Sequence, residues 1–293
     1  MPDTSRPSLL RRFLDASWQT RIYALRYRFK RVWSRVFPSL PLLVHLPYGG
    51  WWLAKDDLLD DSIFTGNFEL NEQKFVGTFL KQGMTVLDIG AHHGLYSVLA
   101  AKKVGPTGKV VSFEPSPKER ERLMAHLRLN RLLDRVSVIP TAIGKESSET
   151  ILYVVQGKET GCNSLRPPAV QEPTEAVRVA VTSLDTFLTQ QKIDRVDFIK
   201  MDIEGGELGM LEGALDVLAK RPRPVILAEL ADSRTLAWGY NASAIYDFLA
   251  ARGFHWFATS PDGKLHPYAR TDRFDCNLAA FPEERLEEAS GRP

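Results

Sequence analysis

The chain has 293 residues, 44% of them hydrophobic and 25% charged, enough to bury a sizeable core in one large domain or two small ones. Its two cysteines, Cys162 and Cys276, exclude a disulfide framework or a four-cysteine zinc site and favour a reducing compartment. Net charge is +2, yet Arg6 to Phe37 holds nine basic residues against Asp15 alone, so the remaining body is mildly acidic and unsuited to gripping a long phosphate backbone.

In chain order, residues 8–37 read as one basic amphipathic helix. Leu10, Leu14, Trp18, Ile22, Leu25, Phe29, Val32 and Val36 recur at steps of three or four, and Pro38 ends the pattern. Val36 to Ala54 is the most apolar run, but three prolines and two glycines bar a spanning helix. No secretory signal pattern opens the chain, so the expected location is the cytoplasm. Leu42 to about Phe68 reads as irregular and aromatic-rich with short strands, and a helix is expected from Glu72 to Leu80.

From Met84 strands and helices alternate. Strands are expected at Thr85–Ile89, Lys109–Phe113, Val136–Pro140, Val196–Met201 and Val225–Leu230. Helices are expected at Gly94–Lys103, Pro117–Asn130, Glu207–Lys220 and Ala242–Arg252. Thr150–Val155 and Val177–Thr182 should pair around the loop Gly157–Pro173, and Phe254–Thr259 and Phe274–Ala280 should close the chain around a turn at Pro261-Asp262-Gly263. Such crossovers require an α/β, doubly wound, mostly parallel sheet, here ending in an antiparallel pair. The expected division is a helical extension (1–41), a lead-in segment on the substrate side (42–82), the catalytic domain (83–282) and a fraying tail (283–293).

Three strand ends carry the chemistry. The first runs Asp88-Ile89-Gly90-Ala91-His92-His93-Gly94. Gly90 permits a close backbone approach and Gly94 opens the next helix. Asp88 before the glycines would repel a pyrophosphate but suits a cofactor bearing a sulfonium and an ammonium. The second strand ends in Phe113-Glu114-Pro115, with Glu114 where nucleotide-binding folds hold ribose hydroxyls. The fourth ends in Lys200-Met201-Asp202-Ile203-Glu204-Gly205-Gly206-Glu207, where alternation sets Lys200, Asp202 and Glu204 on one side if the strand persists. Glu207 reads equally as a helix cap.

Taken together, Asp88-x-Gly90-Ala91-x-x-Gly94, Phe113-Glu114-Pro115-x-Pro117 and Lys200-x-Asp202-x-Glu204-Gly205-x-Glu207 resemble the FkbM family of S-adenosylmethionine (AdoMet)-dependent methyltransferases. The resemblance extends over Gly49 to Phe281 and takes in Gly66-x-Phe68-Glu69, Asn130 and Ser183-Leu184-Asp185. It implies a class I methyltransferase, a Rossmann-like seven-stranded sheet, with AdoMet as donor and O-methylation of a hydroxyl on a sugar, glycan or secondary metabolite. His92 departs from the family's usual Asn, which leaves its contact with the cofactor open. The cofactor-binding set is then Asp88, Gly90, Ala91, His92, Gly94, Glu114, Pro115, Ala142 and Asp202.

Methyl transfer to oxygen needs alignment and a proton acceptor. Asp202 or Glu204 is the expected base or hydroxyl ligand, Lys200 steers their ionisation, and Glu229 and His93 are second-line candidates. A divalent cation on Asp202, Glu204, Glu229 and a histidine is a minority alternative, and no metal is assigned. Rival readings are an NAD-dependent oxidoreductase, opposed by the missing Gly-x-Gly-x-x-Gly, and a non-catalytic cofactor-binding or membrane-associated scaffold. Expected partners are the hydroxyl acceptor and no nucleic acid. The N-terminal helix either packs its stripe on the domain or a second protomer, or lies on the inner face of a membrane.

Overall fold

The computed structural model describes residues 18–290, so the stretch 8–17 of the expected first helix lies outside the described residues. Helix α1 (Trp18–Val36) leads to a hairpin of β1 (Leu42–His45) and β2 (Trp51–Ala54), then α2 (Leu58–Thr65) and α3 (Leu70–Phe79). The lead-in is thus more regular than its sequence suggests. Asp57 caps α2 by accepting from Asp60 N (2.8 Å). Buried Trp52 donates to Asp60 Oδ1 (2.7 Å) and stacks at 3.7 Å on His126.

The alternating region follows as β3 (Thr85–Ile89), α4 (Leu95–Val104), β4 (Lys109–Phe113), α5 (Pro117–Asn130), β5 (Val136–Ile139), β6 (Ala142–Gly144), β7 (Ser148–Val155), β8 (Thr174–Ser183) and α6 (Leu184–Gln190). It continues as β9 (Phe198–Met201), α7 (Glu207–Glu212), α8 (Leu215–Ala219), β10 (Val225–Ala231), α9 (Asp232–Thr235), α10 (Ser243–Ala250), β11 (Phe254–Thr259), β12 (Leu265–Pro267), β13 (Asp275–Pro282) and α11 (Leu286–Ala289).

The main sheet has eight strands in the order β12-β11-β13-β10-β9-β3-β4-β5, one more than expected. Strands β10, β9, β3, β4 and β5 are parallel, and β13 inserts antiparallel between β10 and β11. Nearly continuous apolar runs such as Thr85-Val86-Leu87 and Val225-Ile226-Leu227 fit strands covered by helices on both faces. The added strand is β12, because the turn at Pro261-Asp262-Gly263 joins β11 to β12 and not to β13. Strands β6, β8 and β7 form a separate small sheet.

Two further expectations are corrected. The helix from Glu207 to Lys220 divides at Gly213, where a Cβ would lie 2.3 Å from the Gly144 carbonyl oxygen, so the chain must bend past β6. The tail does not fray at Glu283. Arg285 is buried and donates to Asp197 O (2.8 Å), while Arg223 and Glu284 pair (2.6 Å), which ties the chain to the residues leading into β9 and β10.

The described part of the apolar stripe of α1 is left largely open. Leu25 and Val32 are 57% and 62% exposed, whereas Lys30 is 1% exposed and pairs with Asp61 of α2. Phe29 reaches Phe64 of the same helix with ring centroids 6.2 Å apart.

Candidate active site

Two cavities lie beyond the carboxyl ends of β3, β4 and β9, where strand order reverses. The first, about 330 Å³, is bounded by Ile89, Phe113, Glu114, Pro115, Ala142 and Ile143, with Asn163 to Arg166 on its outer side. The second, about 470 Å³, is bounded by Glu69, Asp88, Tyr96, Lys200, Glu229 and Arg234, with α2 opposite. They meet at Gly90, His92, Gly161, Asp202 and Glu204, which line both.

Gly90 fixes the junction. It has φ +82, and a Cβ there would lie 1.8 Å from the Asp202 carbonyl oxygen. Only glycine lets the first strand's turn pass the fourth strand's end so closely. Gly94 caps α4, and Ala91 is buried beside it.

Asp88 is more deeply set than a strand-end carboxylate reaching for solvent. It accepts from Ser97 Oγ (2.5 Å), and burial pushes its carboxyl up to about 6 against the opposing influences of Ser97 and Lys200. Glu114 accepts from His92 N (2.7 Å) and Ser116 N (2.8 Å), leaving each oxygen a second lone pair toward the first cavity. Burial raises it to about 8.

The two histidines separate in role. His92 adopts φ +48, stacks at 3.7 Å on His93, and keeps a buried Nε2 without a hydrogen-bond partner at the junction. Burial lowers its imidazole to about 4, so it is neutral. His93 is fully buried with Nε2 2.5 Å from Glu119 Oε2, which commits that nitrogen to Glu119, while its ring borders the second cavity.

The fourth strand stops at Met201, so the alternation expected through Glu204 fails: Glu204 sits at φ +56 in a turn. The turn nonetheless brings carboxylate atoms of Asp202, Glu204 and Glu229 within 4.8 Å of one another. Lys200 Nζ donates to Asp202 Oδ2 (3.0 Å) and lies 5.2 Å above the Tyr96 ring, and neighbouring carboxylates hold its ammonium above its ordinary range despite burial. Burial first, and the Asp202 charge second, push Glu204 up to about 8 and Glu229 to about 9. Glu207 is turned inward, accepting from Ile203 N (2.9 Å) and Gly205 N (3.3 Å), which settles it as a staple of this turn.

Sequence reasoning missed several groups. Glu69 accepts from Tyr96 Oη (2.6 Å) and from Asn277 Nδ2 (2.9 Å), and its carboxyl is raised by burial beside Lys200. Only its place in Gly66-x-Phe68-Glu69 marked it. Arg234 pairs with Glu204 (2.9 Å), and Ser164 and Trp238 both donate to the Glu204 carbonyl (2.9 and 3.1 Å), positions with no periodic signal. The loop Gly157–Pro173 and the segment before Phe68 do line the cavities, but the β11–β12 hairpin lines neither. Asn130 brackets Trp51 N and O (2.8 and 2.7 Å), clamping the lead-in to α5.

A profile of the methyltransferase FkbM domain matches residues 88–256, more than half the chain and spanning all three strand-end motifs. The chain belongs to the FkbM methyltransferase family. It is 28% identical over 271 residues to the AMB antimetabolite synthetase AmbE of Pseudomonas aeruginosa, covering 77% of this chain and 12% of that protein. It is 26% identical over 155 residues to the methyltransferase sdnD of Sordaria araneosa, covering 44% of this chain and 59% of that protein. Among solved structures, an O-methyltransferase from Bacillus cereus in complex with SAH aligns over 72% of this chain and 80% of its own, at 16% identity and a TM-score of 0.43.

Membership of this family implies AdoMet as the methyl donor, and the residues present fit that cofactor. The first cavity has the size of a small-molecule site, with Ile89, Phe113, Pro115, Ala142 and Ile143 as apolar walls beside Glu114. The glycine-only passage at Gly90 gives a backbone cradle. The second cavity gathers Asp88, Asp202, Glu204 and Glu229 against Lys200 and Arg234, an acidic excess that a sulfonium would relieve.

Proposed function

We propose that this FkbM enzyme O-methylates a hydroxyl of a sugar, a glycan or a hydroxylated secondary metabolite. The observation that carries the reading is the convergence of Asp202, Glu204 and Glu229 beside the Gly90 junction. Clustered carboxyl groups offer accepting oxygens and, where protonated, an O–H donor, which suits an acceptor presenting several hydroxyls.

Bound AdoMet supplies an electrophilic methyl on sulfur. The chain's part is alignment and proton removal. Glu114 and the backbone at Gly90 would hold the cofactor's adenosine and sulfur ends, with Ala142 and Pro115 as apolar walls. Glu204 or Glu229 would take the proton of the acceptor hydroxyl as its oxygen is methylated. Carboxyl groups raised toward about 8 and 9 are strong enough bases to help a weakly acidic hydroxyl. Lys200 tempers them: its charge opposes the elevation of Asp88, Glu204 and Glu229. A divalent cation on the same three carboxylates is a second means of activating the oxygen. Chelation by EDTA followed by magnesium or manganese add-back separates the two, since a carboxylate base alone leaves turnover unchanged.

The test uses methyl-labelled AdoMet with a panel of hydroxylated sugars, lipid-linked glycans and hydroxylated metabolites, plus amines and carboxylic acids. Base-stable ether label on a hydroxyl supports the reading, and label confined to amines or base-labile esters overturns it. Asp202→Asn and Glu204→Gln variants that still bind AdoMet and keep full turnover would remove both residues from the mechanism.

A further inference from the structure

We propose that α1 lies on an anionic lipid bilayer, with its apolar stripe in the membrane interface and its arginines among the headgroups. The structure carries this beyond what amphipathic periodicity implies, because it separates the face that docks on the enzyme from the face left open.

The docking face is polar. Lys30, buried to 1% exposure, reaches across to Asp61, and this contact with the Phe29–Phe64 ring pair ties α1 to α2. The apolar residues lie on a different side. Trp18, Leu25, Val32 and Val36 fall within one narrow sector at 100° per residue and are all more than half exposed, Trp18 at 73%, with Phe29 at the sector's inner edge, where it meets Phe64. Phe37, Leu40 and Leu43 extend the apolar surface past the helix end.

Charge chooses among occupants. Arg21, Arg28 and Arg35 are seven residues apart, which places them in one row along the stripe's edge on the side turned away from Lys30. The helix holds no acidic residue at all. A second copy of the same helix would set this row against its own like charges, whereas anionic headgroups complement it and let the arginine stems lie along the apolar boundary. No helix among the described residues is long and apolar enough to cross a membrane, so the contact is one of lying on the surface. Helix α2 links this face to the catalytic centre, because Leu58, Leu59 and Ser62 line the second cavity.

The test is sedimentation of the full chain with phosphatidylcholine vesicles and with vesicles containing added phosphatidylglycerol, at low and high salt. Binding to the anionic vesicles alone, weakened by salt as screening predicts, is the expected result. Leu25→Glu with Val32→Glu, both on the open face, should lower partitioning about tenfold or more. Arg28→Glu with Arg35→Glu should abolish the preference for anionic lipid. AdoMet binding by calorimetry, unchanged in all variants, shows that they fold. Equal partitioning of wild type and variants overturns the proposal, as does a vesicle-free dimer that Leu25→Glu with Val32→Glu dissociates, since a second copy then covers the stripe.

Discussion

The two cavities share five residues yet are built on opposite principles. Around the first, polar groups are committed: both Glu114 oxygens hold backbone N–H groups, and the Glu204 carbonyl accepts from Ser164 and Trp238. Around the second, carboxyl groups crowd together: carboxylate oxygens of Asp202, Glu204 and Glu229 lie within 4.8 Å of one another, and Glu69, Asp88, Glu204 and Glu229 are pushed upward, as Glu114 is on the first. A hydrogen-bonded wall is held rigid, which suits holding a cofactor. An unsatisfied one stores unfavourable energy that an incoming cation or a moving proton releases, which suits chemistry.

The sharpest way to break this contrast is at the junction, where both cavities should fail together. Gly90→Ala drives a Cβ into the Asp202 carbonyl and needs φ +82, so AdoMet affinity should fall roughly a hundredfold or more, read by calorimetry. Next comes the second cavity alone. Glu229→Gln should lower kcat by about 10²–10⁴-fold while AdoMet Kd moves little. Because it removes a carboxylate raised to about 9, the same change should raise the melting temperature of the cofactor-free protein at alkaline pH. A variant that loses cofactor affinity and kcat equally would contradict the division. Smaller still is the first cavity alone: Glu114→Gln turns one accepting oxygen into a donor facing a backbone N–H and should weaken AdoMet by about 1–3 kcal/mol, with kcat nearly kept at saturating cofactor.

The mildest effect is the pH dependence of stability. Glu114, Glu204 and Glu229 have folded pKa values of about 8, 8 and 9, above their unfolded values, so the stability tied to their protons is full below about 4.5 and is lost as pH rises toward 9. His92 and His126 are depressed to about 4, so their contribution is full above about 6.5 and is lost as pH falls toward 4. Thermal unfolding of the cofactor-free protein should therefore pass through a maximum between these limits, and AdoMet should flatten its alkaline side. An alkaline limb unaffected by AdoMet would mean that the acidic excess lies away from the cofactor.

Much of this was legible in advance because periodicity and strand-end chemistry are local. β3, β4 and α5 begin and end where the sequence places them, as Thr85–Ile89, Lys109–Phe113 and Pro117–Asn130, since each is bounded by a glycine, a proline or a capping serine. Asp88, Gly90, Glu114, Asp202 and Glu204 all reach the cavities for the same reason. What stayed hidden depends on contacts distant in sequence. Nothing near Gly213 announces that Gly144 will press against it, and α2 forms partly because Asp57 and Asp60 meet Arg122 of α5. The outward face of α1 was equally unreadable, because its orientation is decided by Lys30 and Asp61, a polar pair that a hydrophobic pattern ignores.

The strip of chain between β7 and β8 touches both cavities, with Thr160 and Asn163 to Arg166 on the first, Lys158, Glu159 and Cys162 on the second, and Gly161 on both. Acceptor range and cofactor affinity are therefore written in overlapping letters there. Exchanging this loop to accommodate a new acceptor drags the donor site along, whereas α2 borders only the second cavity. Evolutionary or engineered change of acceptor has its freer route through Leu58, Leu59 and Ser62 than through the loop that looks, by length and composition, like the obvious place to begin.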